Sequence, residues 1–339
     1  MNAEQPGVTA PKPPSTTRLA PSPTGALHLG NARTFLVNWA LARKNNWSIL
    51  LRIEDLDGPR TKRGADQQAI DTLSWLGIDW DQGPVWQSHD LSVYADAMTM
   101  LARAGLAYPT DLSRADVERL GAHSSDTADA ALSAPQEGSH EVRFPPELRP
   151  PLTQALRERG FDDRARTWRF VVHPGATSFH DHFAGPQSFD VGAIAGDFII
   201  WTRQGVPAYQ LAVVVDDARQ GVNDIVRGDD LLDSAARQIL LYRALGLRDP
   251  PRYTHLPLVK GPDGRRLAKR HGDTRIDRYR NLGIPAERVI GLLALWCGVI
   301  QAPEPLSARE FCERFDLDTM PRDPVTFTPE DETWLLQGR

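Results

Sequence analysis

With 41% hydrophobic and 24% charged residues, the 339-residue chain has the composition of a soluble globular protein and the length for roughly two or three domains. A net charge of −5 argues against a general nucleic-acid coat while leaving room for a local basic patch. No apolar run approaches the ~20 residues that span a bilayer, and two cysteines, Cys297 and Cys312, are too few for a disulfide framework or a cysteine-built zinc site, so a cytoplasmic protein is expected.

Residues 1–16 are polar and Pro-rich without an apolar signal-peptide core, and read as a disordered tail. A β-type run from Thr16 to Ala20 then meets Pro21 and Pro23, which cannot continue a ladder. Thr24-Gly25 turns the chain, and His28-Leu29-Gly30-Asn31 opens a helix with Phe35, Leu36, Trp39 and Ala40 on its apolar face. Strand, tight turn and helix N-terminus form a geometry that binds phosphate, because free amides and the helix dipole face the anion. Spacing alone leaves a second reading open, an ordinary βα turn with a stray histidine.

Ser48 to Ile53 is a short apolar run of the buried parallel type, ending in Glu54-Asp55-Leu56-Asp57. In open α/β sheets ligands bind at that edge. Amphipathic helices are predicted over 64–76 and 89–105, giving β-α-β-α order and hence a doubly wound parallel sheet. The pattern breaks at about 109, and 121–140, rich in Ala, Ser, Asp and Gly, reads as a mobile loop. Alternating segments from Thr167 to Val172, Thr177 to Phe183 and Gln187 to Val191 suggest strands, so 110–190 is expected to be an insertion with its own small fold.

The α/β pattern resumes at Gly196 to Trp201. Tyr209 to Asp217 is an apolar run ending in carboxylates, read like Ile225 to Asp230 as a strand end with charge. Residues 231–245 form an amphipathic helix, Tyr253 to Val259 a last strand, and Lys260 to Arg270 a basic loop; 285–299 is helical, and 303–339 is helical and irregular.

Five of these blocks, in order, resemble the catalytic core of class I glutamyl-tRNA synthetases. Arg18-Leu-Ala-Pro-Ser-Pro-Thr-Gly-Ala-Leu-His-Leu-Gly30 is similar to the family's opening block, with His28-Leu29-Gly30 in the first class I signature. Arg52-Ile-Glu-Asp-Leu-Asp57, Tyr209-Gln-Leu-Ala-Val-Val-Val-Asp-Asp217 and Val226-Arg-Gly-Asp-Asp-Leu-Leu232 resemble three further blocks. Arg266-Leu-Ala-Lys-Arg270 sits where the second signature belongs. The chain is short for those enzymes and resembles more closely their short paralogues, the glutamyl-queuosine tRNA(Asp) synthetases. Gly205 to Ala218, the helix start with Asp233, Ser234, Arg237, Gln238 and Ile239, and Phe315-Asp-Leu-Asp followed by Pro321-Arg322 carry that closer likeness.

The resemblance implies an α/β Rossmann core in two halves, 17–109 and 191–259, interrupted by the inserted α+β domain at 110–190. A signature loop and short helical region without an anticodon-binding domain would fill 260–339. It implies activation of L-glutamate by ATP with Mg²⁺, and transfer to queuosine in tRNA(Asp) by a monomer that uses no membrane. Arg18 and Arg227 would take the substrate's carboxylates, which suits guanidinium's bidentate fork. Glu54 would hold its ammonium group, and Tyr209 and Ser22 would hydrogen-bond to it. His28 and Gly30 would meet ATP, and Lys269 would stabilise the transferring phosphate. Surface or core roles remain the alternatives, including a pairing of Arg227 with Asp229 or Asp230.

The sequence departs from the family pattern at Arg266 and Ala268, which replace the second signature's first Lys and its Ser. It departs again at Thr110 and Leu112, where the short family often carries a Cys-x-Cys zinc pair; no structural zinc is expected. His180 and His182, with Asp181 between them and Asp190 nearby in sequence, could bind a metal but are read as surface residues. The arginines at 149, 157, 159, 164, 166 and 169 either touch tRNA phosphates or form a solvated face. Two other functions stay open, a truncated glutamyl-tRNA synthetase charging the acceptor end and a non-catalytic tRNA-binding paralogue.

Overall fold

A computed structural model describes residues 15–58, 60–121, 142–265, 267 and 273–337. Lys269, Arg266, Ala268, the tail before Ser15 and nearly all of 121–140 lie outside the described residues. The chain runs through β1 (Thr16–Leu19), α1 (Leu29–Lys44), β2 (Ser48–Ile53), α2 (Ala65–Trp75), β3 (Gln82–Trp86) and α3 (Ser92–Arg103). There follow β4 (Ala107–Thr110), α4 (Arg114–Gly121), α5 (Gln154–Arg159), β5 (Thr167–Phe170), β6 (Ala176–Asp181), β7 (Gly185–Asp190), α6 (Val191–Ile194) and β8 (Ile199–Trp201). The remainder is α7 (Tyr209–Arg219), β9 (Asp224–Gly228), α8 (Leu232–Ala244), β10 (Arg252–Leu256), β11 (Val259–Lys260), α9 (Ile276–Asn281), α10 (Ala286–Trp296), α11 (Ala308–Arg314), β12 (Val325–Thr326) and α12 (Pro329–Leu336). Among the described residues no helix is long and apolar enough to cross a membrane.

β1, β2 and β3 pair in parallel, as do β9 and β10. β9 runs beside β1, where the Asn223 amide donates to the Thr16 carbonyl at 2.9 Å. The chain thus winds from β1 toward β3 on one side and from β9 to β10 on the other. The reversal falls between β1 and β9, and such a switch point opens a crevice at the carboxyl ends of the strands. The expected doubly wound α/β core is present. β2 is apolar because both its faces are covered: Ile49, Leu51 and Ile53 share a core with Leu36 and Val37 of α1 and with Leu292 and Leu293 of α10, while Leu50 on the other face packs with Val222, Ile225 and Ile239. Truncating one of these Leu or Ile side chains to Ala costs about 2–5 kcal/mol.

The strands expected between 167 and 191 do not share one sheet. β5 pairs antiparallel with β4 and β8, so the strand expected to resume the core joins a small separate sheet. β6 and β7 form a hairpin that docks on β10 through the Tyr253–Asp181 register. Aromatic packing explains the partition, since Phe179 lies 5.8 Å edge-on from Tyr253 while Trp168 and Trp201 close on Phe161.

The expected strand at Tyr209–Asp217 is a helix, α7. It is buried around most of its circumference, so its apolar run carries no helical period to read. β3 and β4 escaped the sequence reading because a proline interrupts each.

The small sheet is fastened around Asp197, which is fully buried. Its carboxylate accepts from Tyr108 Oη at 2.7 Å, Arg149 Nε and Nη2 at 2.7 Å each, and the Val172 amide at 2.8 Å. Arg169 donates to the Asp197 carbonyl at 2.7 Å and covers the Phe144 ring at 4.1 Å. Gly196 allows this approach: its φ is +65° and an added Cβ would stand 1.8 Å from the Phe144 carbonyl oxygen.

Candidate active site

The turn after β1 and the start of α1 are locked together by the His28 side chain. Its Nδ1 accepts from the amides of Gly30 at 3.1 Å and Asn31 at 3.4 Å, while the Asn31 side chain accepts from the His28 amide at 3.3 Å. This capping box satisfies the helix's orphan donors. With Nδ1 an acceptor, the neutral ring carries its proton on Nε2. Gly30 leaves room for the ring, since a Cβ there would meet His28 Cε1 at 3.1 Å.

Arg18 lies on β1 and Arg227 on β9, one on each side of the switch point. Both are 5% exposed, yet they are held differently. Arg18 Nε stands 3.6 Å from Asp217 Oδ1 and has no hydrogen-bond partner among the described residues. Burial pulls its pKa down, opposed chiefly by Asp217. Arg227 instead donates from Nε to His255 Nε2 at 2.9 Å, from Nη1 to Gln238 Oε1 at 3.0 Å and from Nη2 to the Leu231 carbonyl at 3.2 Å. It pairs with neither Asp229 nor Asp230 among the described residues.

Glu54 follows β2, and its amide donates to the Pro21 carbonyl at 3.1 Å, which ties the strand end to the opening turn. Its carboxylate meets Arg52 Nη2 at 3.2 Å, and Arg52 Nη1 reaches Asp217 Oδ1 at 2.8 Å. Burial pushes the Glu54 pKa up against the pull of Arg52 and Arg18. Burial also opposes the charge on Arg52, but Asp217 and Glu54 outweigh it and hold that guanidinium firmly protonated. Tyr209 opens α7, whose later residues Asp216 and Asp217 turn inward: Asp216 accepts from Gln87 at 2.7 Å and Tyr94 at 2.9 Å. These carboxylates serve the framework.

Arg18, Ser22, His28, Gly30, Glu54, Tyr209 and Arg227 all line one cavity of about 540 Å³ at the switch point. A second cavity, of about 690 Å³, shares Ser22, Glu54 and Tyr209 with the first and extends to the small sheet at Thr167, Arg169 and Ile199. Leu267, from the second signature, is buried and reaches the first cavity.

Sequence reasoning singled out neither Arg52 as the group that braces Glu54 nor His255 as the support of Arg227. His180 and His182 are exposed, with ring centroids 6.3 Å apart, but Asp181 between them is fully buried. The arginines at 149–169 do not form one phosphate-facing patch: Arg149 and Arg169 are spent on Asp197, Arg166 on Asp111 at 2.6 Å, and Arg159 faces Asp162 at 4.0 Å. Where the resemblance raises a zinc pair, Thr110 Oγ1 accepts from the Leu112 amide at 3.2 Å, and Leu112 packs against the small core of Tyr108, Val117, Phe144 and Val171. Those side chains offer no ligand set for zinc.

Residues 15–331 match the family model described as tRNA synthetases class I (E and Q), catalytic domain. A glutamyl-Q tRNA(Asp) synthetase of Symbiobacterium thermophilum is 44% identical over 330 residues, covering 95% of this chain and 98% of that protein. The chain belongs to the glutamyl-Q tRNA(Asp) synthetase family of class I synthetases. Another family member, from Rhodopirellula baltica, is 42% identical, covering 91% of this chain and 95% of its own length. A crystal structure of a glutamate tRNA ligase from Elizabethkingia meningosepticum, in complex with its amino acid, superposes with a TM-score of 0.75 at 25% identity. The match spans 95% of this chain and 68% of that one, so the family's shared core accounts for nearly all of the present fold.

Proposed function

We propose that this protein activates L-glutamate with ATP and transfers it to the queuosine base of tRNA(Asp). The observation that carries the reading is the meeting of two arginines and one carboxylate in the cavity that the phosphate-type helix start also enters. Two cations and one anion match a substrate with two carboxylates and one amine. The fork of Arg18 grips one carboxylate, and the anchored fork of Arg227 offers the second N–H of each terminal nitrogen to the other. Glu54 holds the ammonium group, with Ser22 and the Tyr209 hydroxyl completing the contacts.

In activation, an oxygen of the α-carboxylate attacks the α-phosphorus of ATP, the bond to the bridging oxygen breaks, and pyrophosphate leaves with its electron pair. The protein contributes position and charge. His28 Nε2–H faces the phosphates at the start of α1, whose first amides are already held by the His28 ring and the Thr274 carbonyl, and Lys269 neutralises the transition state. Among the described residues no three His, Cys, Asp or Glu side chains gather to hold a metal. Mg²⁺ accompanying ATP would offset the triphosphate charge, since that ion favours phosphate oxygens.

The second cavity, beyond the shared wall of Ser22, Glu54 and Tyr209, takes the splayed-out acceptor base. An acceptor hydroxyl attacks the acyl carbon, the bond to AMP breaks, AMP leaves with the electron pair and the hydroxyl proton passes to solvent. Mass spectrometry of tRNA(Asp) nucleosides after incubation with glutamate and ATP tests this directly. A glutamyl adduct on queuosine is expected; equal transfer to queuosine-free tRNA(Asp) would overturn the reading.

A further inference from the structure

We propose that Asp181 and His255 are positioning residues for glutamate: Asp181 sets the tautomer of His255, and His255 fixes the guanidinium of Arg227. The proposal rests on the glutamate-binding role assigned to Arg227 above. Neither residue lines either cavity.

A guanidinium N–H can only donate, so the 2.9 Å contact between Arg227 Nε and His255 Nε2 requires a lone pair on Nε2. The ring proton then sits on Nδ1, which is 2.6 Å from Asp181 Oδ2. The other carboxylate oxygen, Oδ1, accepts from the amides of Phe183 at 2.9 Å, Ala184 at 2.7 Å and His255 at 3.1 Å, which fixes the carboxylate at the end of β6. Asp181 is 0% and His255 1% exposed, so water cannot substitute for either partner.

The other contacts of Arg227 follow the same one-way order. Gln238 Oε1 accepts from Nη1, and the Gln238 amide donates to Gln210 Oε1 at 3.0 Å. The Tyr253 ring lies 5.2 Å beneath the guanidinium. These contacts hold the plane of the fork, while His255 sets its angle about Nε. The β6–β7 hairpin therefore governs the amino-acid site without entering it. In the β9–β10 ladder His255 is the register partner of Arg227, so the support comes from the adjacent strand.

Asp181→Asn isolates this function. The asparagine oxygen can keep the backbone amides of Phe183 and Ala184, while its NH₂ replaces the acceptor Oδ2 and faces Nδ1. The proton is then driven to Nε2, against the N–H of Arg227. In glutamate-dependent ATP–pyrophosphate exchange this variant should raise the KM for glutamate about tenfold or more, with the KM for ATP within about twofold. His255→Gln, whose oxygen can accept from Arg227 while its amide donates to Asp181, should stay within about threefold of wild type, whereas His255→Leu should match Asp181→Asn.

¹⁵N NMR of histidine-labelled protein, with the His255 signal assigned by its loss in His255→Gln, should show the Nδ1–H tautomer in wild type. An Nε2–H tautomer there, an unchanged glutamate KM in folded Asp181→Asn, or His255→Gln as impaired as His255→Leu would each overturn the proposal. Absence of glutamate-dependent exchange in wild type would refute the substrate reading instead, and the tautomer would still decide the Asp181–His255 arrangement.

Discussion

The Asp217 carboxylate stands 3.6 Å from Arg18 Nε, beyond a hydrogen bond yet close enough for charge. Asp217 also binds Arg52 at 2.8 Å, so one buried carboxylate steadies two buried guanidinium groups. Asp217→Asn should cost about 3 kcal/mol of stability, as expected for breaking a buried ion pair, and raise the glutamate KM by releasing Arg18. Urea unfolding and exchange kinetics on the same preparation check both effects.

Glu54 should make glutamate binding acid-sensitive. Burial raises its pKa above the ordinary 4.5, net of the opposing arginines. If Glu54 holds the ammonium group as proposed, protonation would remove that charge, and the glutamate KM should climb as pH falls, starting above the ordinary carboxylate range. In Glu54→Gln the KM should be high throughout and lose this pH dependence.

His255 predicts a different acid effect, on stability. Burial, helped by Arg227 and opposed by Asp181, lowers its pKa from 6.5 to about 4. Between those values the unfolded chain binds the proton and the folded chain does not, so stability rises with pH across this window. The contribution is fully present above pH 6.5 and lost as pH falls toward 4, about 3 kcal/mol in all. Denaturant midpoints at several pH values should show this limb in wild type and a flatter one in His255→Gln.

Gly30→Ala should be read at ATP. The new Cβ would lie 3.1 Å from His28 Cε1 and 3.2 Å from Nδ1, displacing the ring from its cap. Losing that cap costs about 1 kcal/mol of helix stability, and the KM for ATP should rise several-fold while that for glutamate changes little.

The small sheet should be indifferent to chelation. Treatment with 1,10-phenanthroline should leave the melting temperature and exchange rate unchanged, and stoichiometric zinc by atomic emission would contradict this. Asp197→Ala should destabilise the sheet by about 3 kcal/mol, because Arg149, Tyr108 and the Val172 amide lose their buried acceptor.

What the sequence makes legible depends on distance along the chain. His28 and Gly30, or Glu54 at the end of β2, stand in short contiguous blocks where turn chemistry and a strand's apolar run point to a site. Asp181 and His255 lie 74 residues apart and carry no local pattern, so their contact appears only once β6 docks on β10. Asp197 is likewise one carboxylate among many until Gly196 brings it to Phe144. α7 is illegible for another reason: a run of valines buried on most sides suits strand and helix equally well.

The pairing of β11 with β12 has a consequence for protein engineering. Val259 and Lys260, at the entrance to the second signature loop, are in register with Val325 and Thr326. At its exit, Glu332 of α12 accepts from Tyr279 Oη at 2.7 Å and pairs with Arg278 at 2.6 Å. Residues 325–332 thus brace both flanks of that loop like a splint. Proteolytic trimming back past β12 should therefore loosen both flanks of the loop together.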